Sequence, residues 1–198
     1  MAVTSILVLL LAAGVRLLGG NTAPSRTAGT DLLEGMIEQA RASAITSRSH
    51  MVLAVAEPRN LTADDSRCQL GLFRVTAWPD SAADPLRGVL IGRWRALQPG
   101  IALIDGEVAG ACNPLDSNEL TIAYGGSRDQ TIQIHAIAFN PRGGLHYPPG
   151  SAPVTIRIAE GDYRSGMPVA RRRGESGTIT ENRLRIGRVS SHLYQTDE

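Results

Sequence analysis

Residues 31–55 read DLLEGMIEQARASAITSRSHMVLAV, and the spacing of the apolar residues changes within this stretch. In its first part, apolar residues recur at intervals of three and four, which predicts a helix with one buried side. Asp31 and Glu34 stand at the spacing of a capping box, so we expect the helix to begin at Asp31 and to end near Arg48. From Met51 the period becomes two, which predicts a strand.

Short apolar runs with the spacing of strands follow as far as the end of the chain. Clusters of Pro and Gly separate them, as expected of turns. We predict strands at residues 70–75, 89–94, 101–104, 120–124, 131–139, 154–158 and 184–189. A helix followed by many short strands favours an α+β fold, in which the amphipathic helix packs on an antiparallel β-sheet.

The N-terminal residues 1–15, MAVTSILVLLLAAGV, contain no charge, and Arg16 is the first ionisable residue. The run is too short to cross a bilayer, which takes about 20 residues. Two interpretations stay open: a signal peptide without its usual positive start, or a membrane helix whose first residues precede Met1. The second is favoured, because a few more residues would complete the span and could supply a positive leader.

Three regions follow from these patterns. We expect a hydrophobic transmembrane or assembly helix at residues 1–20, lacking its first residues. Gly19, Gly20, Asn21 and Pro24 form a cluster that ends this helix, so we expect a linker at residues 21–30 and one globular domain at residues 31–198. A chain of 198 residues is long enough for one such core but short for two.

Composition excludes several kinds of chemistry. All 20 basic residues are arginine, so Schiff-base lysines and Gly-Lys-Ser/Thr phosphate loops are ruled out. A formal net charge of +1 gives no broad basic field for nucleic acid. We find no catalytic motif and predict no enzyme activity and no cofactor. The scattered histidines, His50, His135, His146 and His192, are interpreted as structural or exposed.

The two cysteines, Cys68 and Cys112, lack the spacing of a metal or redox motif, so no metal site is predicted. In an exported domain they could form a disulfide that stabilises the fold by about 3–4 kcal/mol. Two separate buried thiols are the alternative.

One basic segment is a candidate contact surface. Residues 161–177 read GDYRSGMPVARRRGESG, which predicts a loop with Arg171, Arg172 and Arg173 as its basic group. This group could contact an acidic partner or lipid headgroups. A solvated loop without a partner is the alternative.

Several short segments occur in a characteristic order. ARASAI at residues 40–45 lies in the predicted helix, FNPRG at residues 139–143 forms a turn, and GRV at residues 187–189 lies in the last predicted strand. With the apolar N-terminus, this order resembles minor pseudopilins of the type H kind from type II secretion. PVTIRIAEGDYRSG at residues 153–166 also looks like the pilin-like proteins of the Verru_Chthon cassette.

The resemblance implies a pilin-like structural subunit of a type II secretion or type IV pilus-like system. Its expected partners are other pilin or pseudopilin subunits, the inner-membrane assembly machinery, and the membrane itself through the N-terminal helix. The expected location is the bacterial inner membrane, single-pass, with the globular domain in the periplasm. The prepilin signature G-F-T-L-x-E is missing, which fits a start codon assigned too late and leaves open whether a prepilin leader lies upstream of Met1. A secreted periplasmic binding module with a cleaved signal peptide is the alternative function.

Overall fold

The computed structural model describes residues 22–61, 67–79, 84–117, 119–125, 130–173, 177–188 and 193–197. Helix α1, Thr22–Ser47, is the only α-helix among these residues. One side of α1 is buried and none of its apolar residues there is more than 3% exposed: Leu33, Met36, Ile37, Ala40 and Ala44. The predicted amphipathic spacing therefore identifies the side that packs on the β-strands.

The ends of α1 differ in how well the sequence predicted them. The helix begins at Thr22, so Asp31 lies inside it on the exposed side, and the predicted capping box is wrong. Residues 22–30, expected in the linker, are helical because this part packs closely on the strands: a Cβ at Gly29 would lie 2.8 Å from Ile101 Cδ1. At the C-terminal end, Arg48 has a φ of 50° in the left-handed region, which ends the helix as expected.

Fourteen strands lie in the described residues, with two 3-10 turns at Pro58–Asn60 and Pro114–Asp116. The strands are β1 (Met51–Ala56), β2 (Gln69–Ala77), β3 (Leu86–Leu90), β4 (Arg95–Ala96), β5 (Ile101–Ile104), β6 (Leu120–Tyr124), β7 (Gln130–Phe139), β8 (Leu145–Tyr147), β9 (Val154–Arg164), β10 (Met167–Ala170), β11 (Arg172–Arg173), β12 (Thr178–Ile179), β13 (Glu181–Ile186) and β14 (Leu193–Asp197). Most lie near predicted runs. The run at residues 89–94 differs most, since β3 ends at Leu90 and Trp94 lies outside the strands.

The first sheet closes on itself as a ring of five strands. Strand β1 pairs with β2 and with β7, β2 pairs with β3, and β6 pairs with β7, all antiparallel. A short parallel pairing of β3 with β6 completes the ring. Its interior is apolar, with Val52, Ala54 and Ala56 of β1 packed in one cluster with Phe73 and Ile134.

The second sheet has the strand order β10, β9, β13, β14, with β5 also paired to β9. Helix α1 contacts β1 of the first sheet and β9 and β13 of the second. Because side chains alternate along a strand, Met51, Leu53 and Val55 leave the ring interior and join a second core with Ile156 and Leu184. This second core unites α1 with both sheets.

The fold is therefore predominantly β, and the predicted α+β class is wrong. The pilin-like arrangement of a hydrophobic helix followed by an amphipathic helix on an antiparallel β-sheet does not describe it. The physical reason lies in β1, whose six residues are all buried. One side of β1 packs in the core that contains α1, and the other needs an enclosed core of its own, which the ring provides.

No helix in the described part of the chain combines the length and apolar character needed to cross a membrane. Helix α1 carries five charged residues along its length: Arg26, Asp31, Glu34, Glu38 and Arg41. The absence of such a helix from the described residues contradicts the predicted transmembrane character and the single-pass inner-membrane location with a periplasmic domain. Residues 1–20, on which the predicted membrane helix falls, lie outside the described residues.

Candidate functional site

The two cysteines proposed as a disulfide are free thiols. Cys68 is fully buried in the core shared by α1 and both sheets, and this burial raises the pKa of its thiol to about 12. Cys112 is partly exposed, with its Sγ 3.8 Å from Ser117 Oγ. The predicted disulfide is therefore not formed, and only one of the two thiols is buried.

The predicted basic contact group lies on extended backbone. Arg171 is exposed, and Arg172 and Arg173 form β11, which pairs with β12. Much of the segment 161–177, expected to be a loop, is strand, because β9 continues into it and β10 follows. Contact between these arginines and an acidic partner stays a prediction.

The histidines fall in different environments. His50 and His146 lie together, with ring centroids 4.7 Å apart, and Trp78 packs on His146 at 4.6 Å. Burial lowers the pKa of His146, and the neighbouring His50 lowers it further. His135 is buried in β7 and belongs to a cluster of charged residues described below. His192 lies outside the described residues.

The segments that carry the pseudopilin resemblance meet at one end of the molecule. The turn at residues 139–143 packs on the helix segment 40–45, since a Cβ at Gly143 would lie 2.8 Å from Ile45 Cδ1. The chain leaving that turn meets the segment that follows β13, where the amide of Leu145 donates a hydrogen bond to the carbonyl of Arg188 at 3.3 Å. Three parts that are distant in sequence thus form one local structure.

Arg188 is the main side chain of this local structure. Its Nε donates to the carbonyl of Ala152 at 2.6 Å, and its Nη2 donates to the carbonyl of Pro149 at 3.4 Å. Its Nη1 also donates to the carbonyl of Pro148. A guanidinium can satisfy several carbonyls at once because its donors have a fixed fork geometry. Arg188 therefore holds the segment between β8 and β9 against the end of β13.

Asn140 stabilises the adjacent turn. Its Oδ1 accepts hydrogen bonds from the amides of Arg142 at 2.9 Å and Gly144 at 3.1 Å. Gly143 has a φ of 80°, in the region that glycine adopts without strain. The Asn-Pro-Arg-Gly turn noted in the sequence is thus explained by local hydrogen bonds and backbone conformation.

A cluster of charged and polar side chains lies where β1, β6 and β7 meet. Glu57 directly follows β1, Glu119 directly precedes β6, and His135 lies within β7. Glu57 and His135 are each only 4% exposed. One ligand atom from each of these three residues lies within 4.8 Å of the others, so they form a candidate metal centre.

Arg59 and Asn60 border this cluster from the 3-10 turn after β1. Arg59 Nε lies 2.8 Å from Glu57 Oε2, and Arg59 Nη2 donates to Glu119 Oε1 at 2.8 Å. Asn60 Nδ2 donates to the same Glu119 oxygen at 3.0 Å, and His135 Nε2 lies 3.5 Å from it. Arg59, Asn60 and His135 therefore all contact the same oxygen, Glu119 Oε1.

Two groups of the cluster, Glu57 and His135, are buried without full compensation by neighbouring polar or charged groups. Burial raises the pKa of Glu57 above its usual range, and the positive charge of Arg59 offsets this only in part. Oε2 of Glu57 is close to Arg59 but makes no well-aligned hydrogen bond, and His135 Nδ1 is also buried without a hydrogen-bond partner. Such buried polar atoms are costly, which marks the cluster as a functional candidate.

Sequence reasoning did not single out Glu57 or Glu119, and it interpreted His135 as structural. A usable signal was present for two of them. Glu57 directly follows the fully buried β1, and His135 interrupts an apolar strand, so each was a candidate for a buried ionisable group. No comparable signal marks Glu119, because only the pairing of β6 with β7 brings it to the others.

A cavity of about 360 Å³ opens beside the cluster. Asn60 lines the cavity and also donates a hydrogen bond to Glu119, so the cavity lies directly beside the charged cluster. The cavity is lined by the aromatic residues Trp94 and Tyr124, and both rings pack edge-on against Phe73. Aromatic faces next to amide and hydroxyl groups suit a small ligand that is partly apolar and forms hydrogen bonds.

Comparison with known proteins gives no relative. No protein-family model, curated protein or solved structure matches this chain.

Proposed function

We propose that this chain is a non-catalytic structural subunit that assembles with other protein subunits. This is the role that minor pseudopilins have in type II secretion and type IV pilus-like systems. The observation that carries the proposal is the meeting of the segments 40–45, 139–143 and 187–188 at one end of the fold. The residues that carry the resemblance act together there, which supports a shared structural origin over unrelated short matches.

The contacts at this end have a structural character. Arg188 binds backbone carbonyls, Asn140 binds backbone amides, and Gly143 provides a positive φ beside Ile45. These roles hold backbone segments in place and involve no nucleophile or general base. They agree with a subunit whose function is to present a fixed surface to its neighbours.

The exposed side of α1 is the surface on which we test assembly. Ala28, Gly35 and Ala42 are all exposed and stand at seven-residue intervals, and beyond the helix's own backbone no atom lies within 4 Å of the Cβ position of Gly35. Residues this small allow the backbone of another helix to approach closely. The proposed occupant is the helix of another subunit of the same assembly.

The test introduces a photo-crosslinking amino acid at Ala42 and, as a matched control, at Ala77 on the exposed end of β2. Crosslinking is carried out in the native host, and the products are identified by mass spectrometry. We expect Ala42 to crosslink to a second copy or to another subunit with an apolar N-terminal helix, and Ala77 to give no such product. Absence of an intermolecular product from Ala42 would contradict the proposal.

A substitution at the same position separates assembly from folding. Ala42→Arg adds bulk and charge to an exposed position, so the circular dichroism spectrum of the chain should be unchanged while its assembly with other subunits is lost. Ala77→Arg makes the same change elsewhere and should retain assembly. Equal assembly of the two variants would show that the exposed side of α1 is not the contact surface.

A secreted binding module is the second candidate function, and the cavity beside Asn60 favours it. Trp94 offers an aromatic surface, and Gln130 and Thr131 offer polar groups, which is a combination suited to a small saccharide. Isothermal titration calorimetry with a panel of oligosaccharides tests this function. Binding that is lost in Trp94→Ala but kept in Trp78→Ala would favour the binding module; no response to any saccharide would count against it.

A further inference from the structure

Strand register brings three potential metal ligands to one place. In the pairing of β1 with β7, Val55 lies opposite His135, and Glu57 follows shortly after Val55. In the pairing of β6 with β7, Leu120 lies opposite Ile134, so Glu119 reaches the level of His135. The register of the ring, rather than any local sequence motif, therefore positions Glu57, Glu119 and His135 together.

The chemistry of the three side chains suits a divalent transition-metal ion. Two carboxylates and one imidazole are a ligand set that Zn²⁺ accepts, with bonds of about 2.0–2.2 Å. Ligand atoms around a common zinc ion lie about 3–4 Å apart at such bond lengths. The three atoms already lie within 4.8 Å of one another, so small side-chain movements would complete the site.

The cluster contains more acidic than basic side chains. Glu57 and Glu119 contribute two carboxylates, and Arg59 is the only cationic side chain in contact with both among the described residues. Glu57 and His135 are each only 4% exposed. Glu57 Oε2 lies 2.8 Å from Arg59 Nε but makes no well-aligned hydrogen bond, and His135 Nδ1 is buried without a hydrogen-bond partner. A bound cation would offset the second carboxylate, which the single guanidinium of Arg59 does not neutralise.

We propose that Glu57, Glu119 and His135 bind one divalent transition-metal ion, for which Zn²⁺ is the probe. Glu119 is the accessible ligand, since its side chain is 21% exposed and Arg59 beside it is 40% exposed. The ion enters from this side and displaces Arg59 from Glu119 Oε1. Three protein ligands leave the fourth tetrahedral position to water. The site is independent of the proposed assembly surface on α1.

The test measures zinc binding to the full chain by isothermal titration calorimetry and checks the coordination with the visible spectrum of Co²⁺. Glu119→Gln removes a charged ligand with little change in shape, and we expect it to weaken zinc binding by about tenfold or more. His135→Gln gives the same test at a second ligand if Glu119→Gln does not fold. Glu107→Gln, the same change at an exposed residue, should bind zinc as the wild type does.

Arg59→Met distinguishes a metal site from a purely structural ion-pair cluster. The substitution removes the cation that competes for Glu119, so zinc should bind more tightly than to the wild type. Circular dichroism identifies the variants that keep the wild-type fold, and only these are compared. Equal or weaker binding in folded Arg59→Met would overturn the proposal.

Exposed His146 and partly buried His50, whose ring centroids lie 4.7 Å apart, are another pair to which zinc could bind. His146→Gln separates the two sites and should leave zinc affinity unchanged. No stoichiometric zinc binding by the wild type would overturn the proposal, as would binding that His146→Gln abolishes and Glu119→Gln leaves intact. Failure of the zinc test has no effect on the crosslinking expected at Ala42.

Discussion

Arg157 binds the carboxylate of Glu181 through two nitrogens, with Nε 3.2 Å from Oε1 and Nη2 2.7 Å from Oε2. Arg183 adds a third contact, from its Nε to Oε1 at 2.7 Å. Glu181 is only 5% exposed, and Arg157 Nη1 also donates to the carbonyl of Asp105 at 2.8 Å. This network joins β9 and β13 to the segment that follows β5. Removing the carboxylate would therefore weaken the contacts among β9, β13 and the segment that follows β5.

Glu181→Gln should lower the free energy of unfolding by about 2 kcal/mol, because hydrogen bonds to charged groups contribute about 1.5–3 kcal/mol. The substitution leaves two guanidinium groups without their anionic partner. Urea denaturation followed by circular dichroism measures the change. Glu107→Gln, at an exposed position, is the matched control and should change stability by less than about 0.5 kcal/mol. Equal stability of the two variants would contradict the role given to the network.

The same carboxylate predicts a dependence of stability on pH. Burial alone would raise the pKa of Glu181, but hydrogen bonds from Arg157 and Arg183 outweigh it and lower the pKa below 4.5. The folded pKa lies below the unfolded value, so the stabilising contribution is fully present above the unfolded pKa and is lost as the pH falls through the folded pKa. The difference in unfolding free energy between wild type and Glu181→Gln should therefore shrink as the pH falls below about 4.5.

Urea denaturation of both proteins at a series of pH values checks this prediction. Subtracting the variant from the wild type cancels the contributions of other acidic groups, including Glu57, whose pKa is shifted in the opposite direction. A difference that stays constant, or that grows as the solution becomes more acidic, would show that the carboxylate does not carry the stabilisation.

The sequence predicts the strands and the buried side of α1 well because both depend on local periodicity. The spacing of Leu33 and Ile37 identifies the buried side of the helix, and the runs at residues 101–104 and 120–124 coincide with β5 and β6. Closure of the ring is not local. It depends on a parallel pairing of only two residue pairs between β3 and β6, including Leu86 with Ile122, and no spacing in the sequence signals it.

The candidate metal centre was missed for the same reason. Glu57, Glu119 and His135 are far apart in sequence, and no short motif relates them. Two strand pairings bring them together, each with its own register. The possible disulfide is absent, and the sequence could not decide this because pairing two cysteines requires knowledge of which elements are neighbours. Cys68 lies in the core, whereas the Sγ of Cys112 lies near the Asn113 carbonyl and Ser117 Oγ.

The two thiols should react with maleimide at very different rates. Cys112 is partly exposed and should be labelled in the folded protein, whereas Cys68 is fully buried and should be labelled only after unfolding. The raised pKa of Cys68, about 12, also keeps its reactive thiolate at a very low population at neutral pH. Mass spectrometry of the labelled protein before and after urea treatment measures both reactions.

Cys112→Ser is the control for this assignment, since it should remove the label from the folded protein and leave one label after unfolding. A non-reduced protein that takes no label even in urea, and takes two after reduction, would contain a Cys68–Cys112 disulfide. That outcome would contradict the free thiols of the structure.

Arg188→Gln should destabilise the end of the molecule at which residues 40–45, 139–143 and 187–188 meet. Gln cannot reach the carbonyls of Ala152 and Pro149 together, so at least two charged hydrogen bonds are lost, and we expect a decrease of about 2 kcal/mol in the free energy of unfolding. Burial also lowers the pKa of Arg188, which reflects the cost of placing the charge there and is why the carbonyl partners are needed. Urea denaturation measures the loss, with Arg185→Gln, an exposed position on β13, as the matched control. If both variants unfold at the same urea concentration, the guanidinium of Arg188 does not hold the segment between β8 and β9, and the structural unit that supports an assembly role loses its main contact.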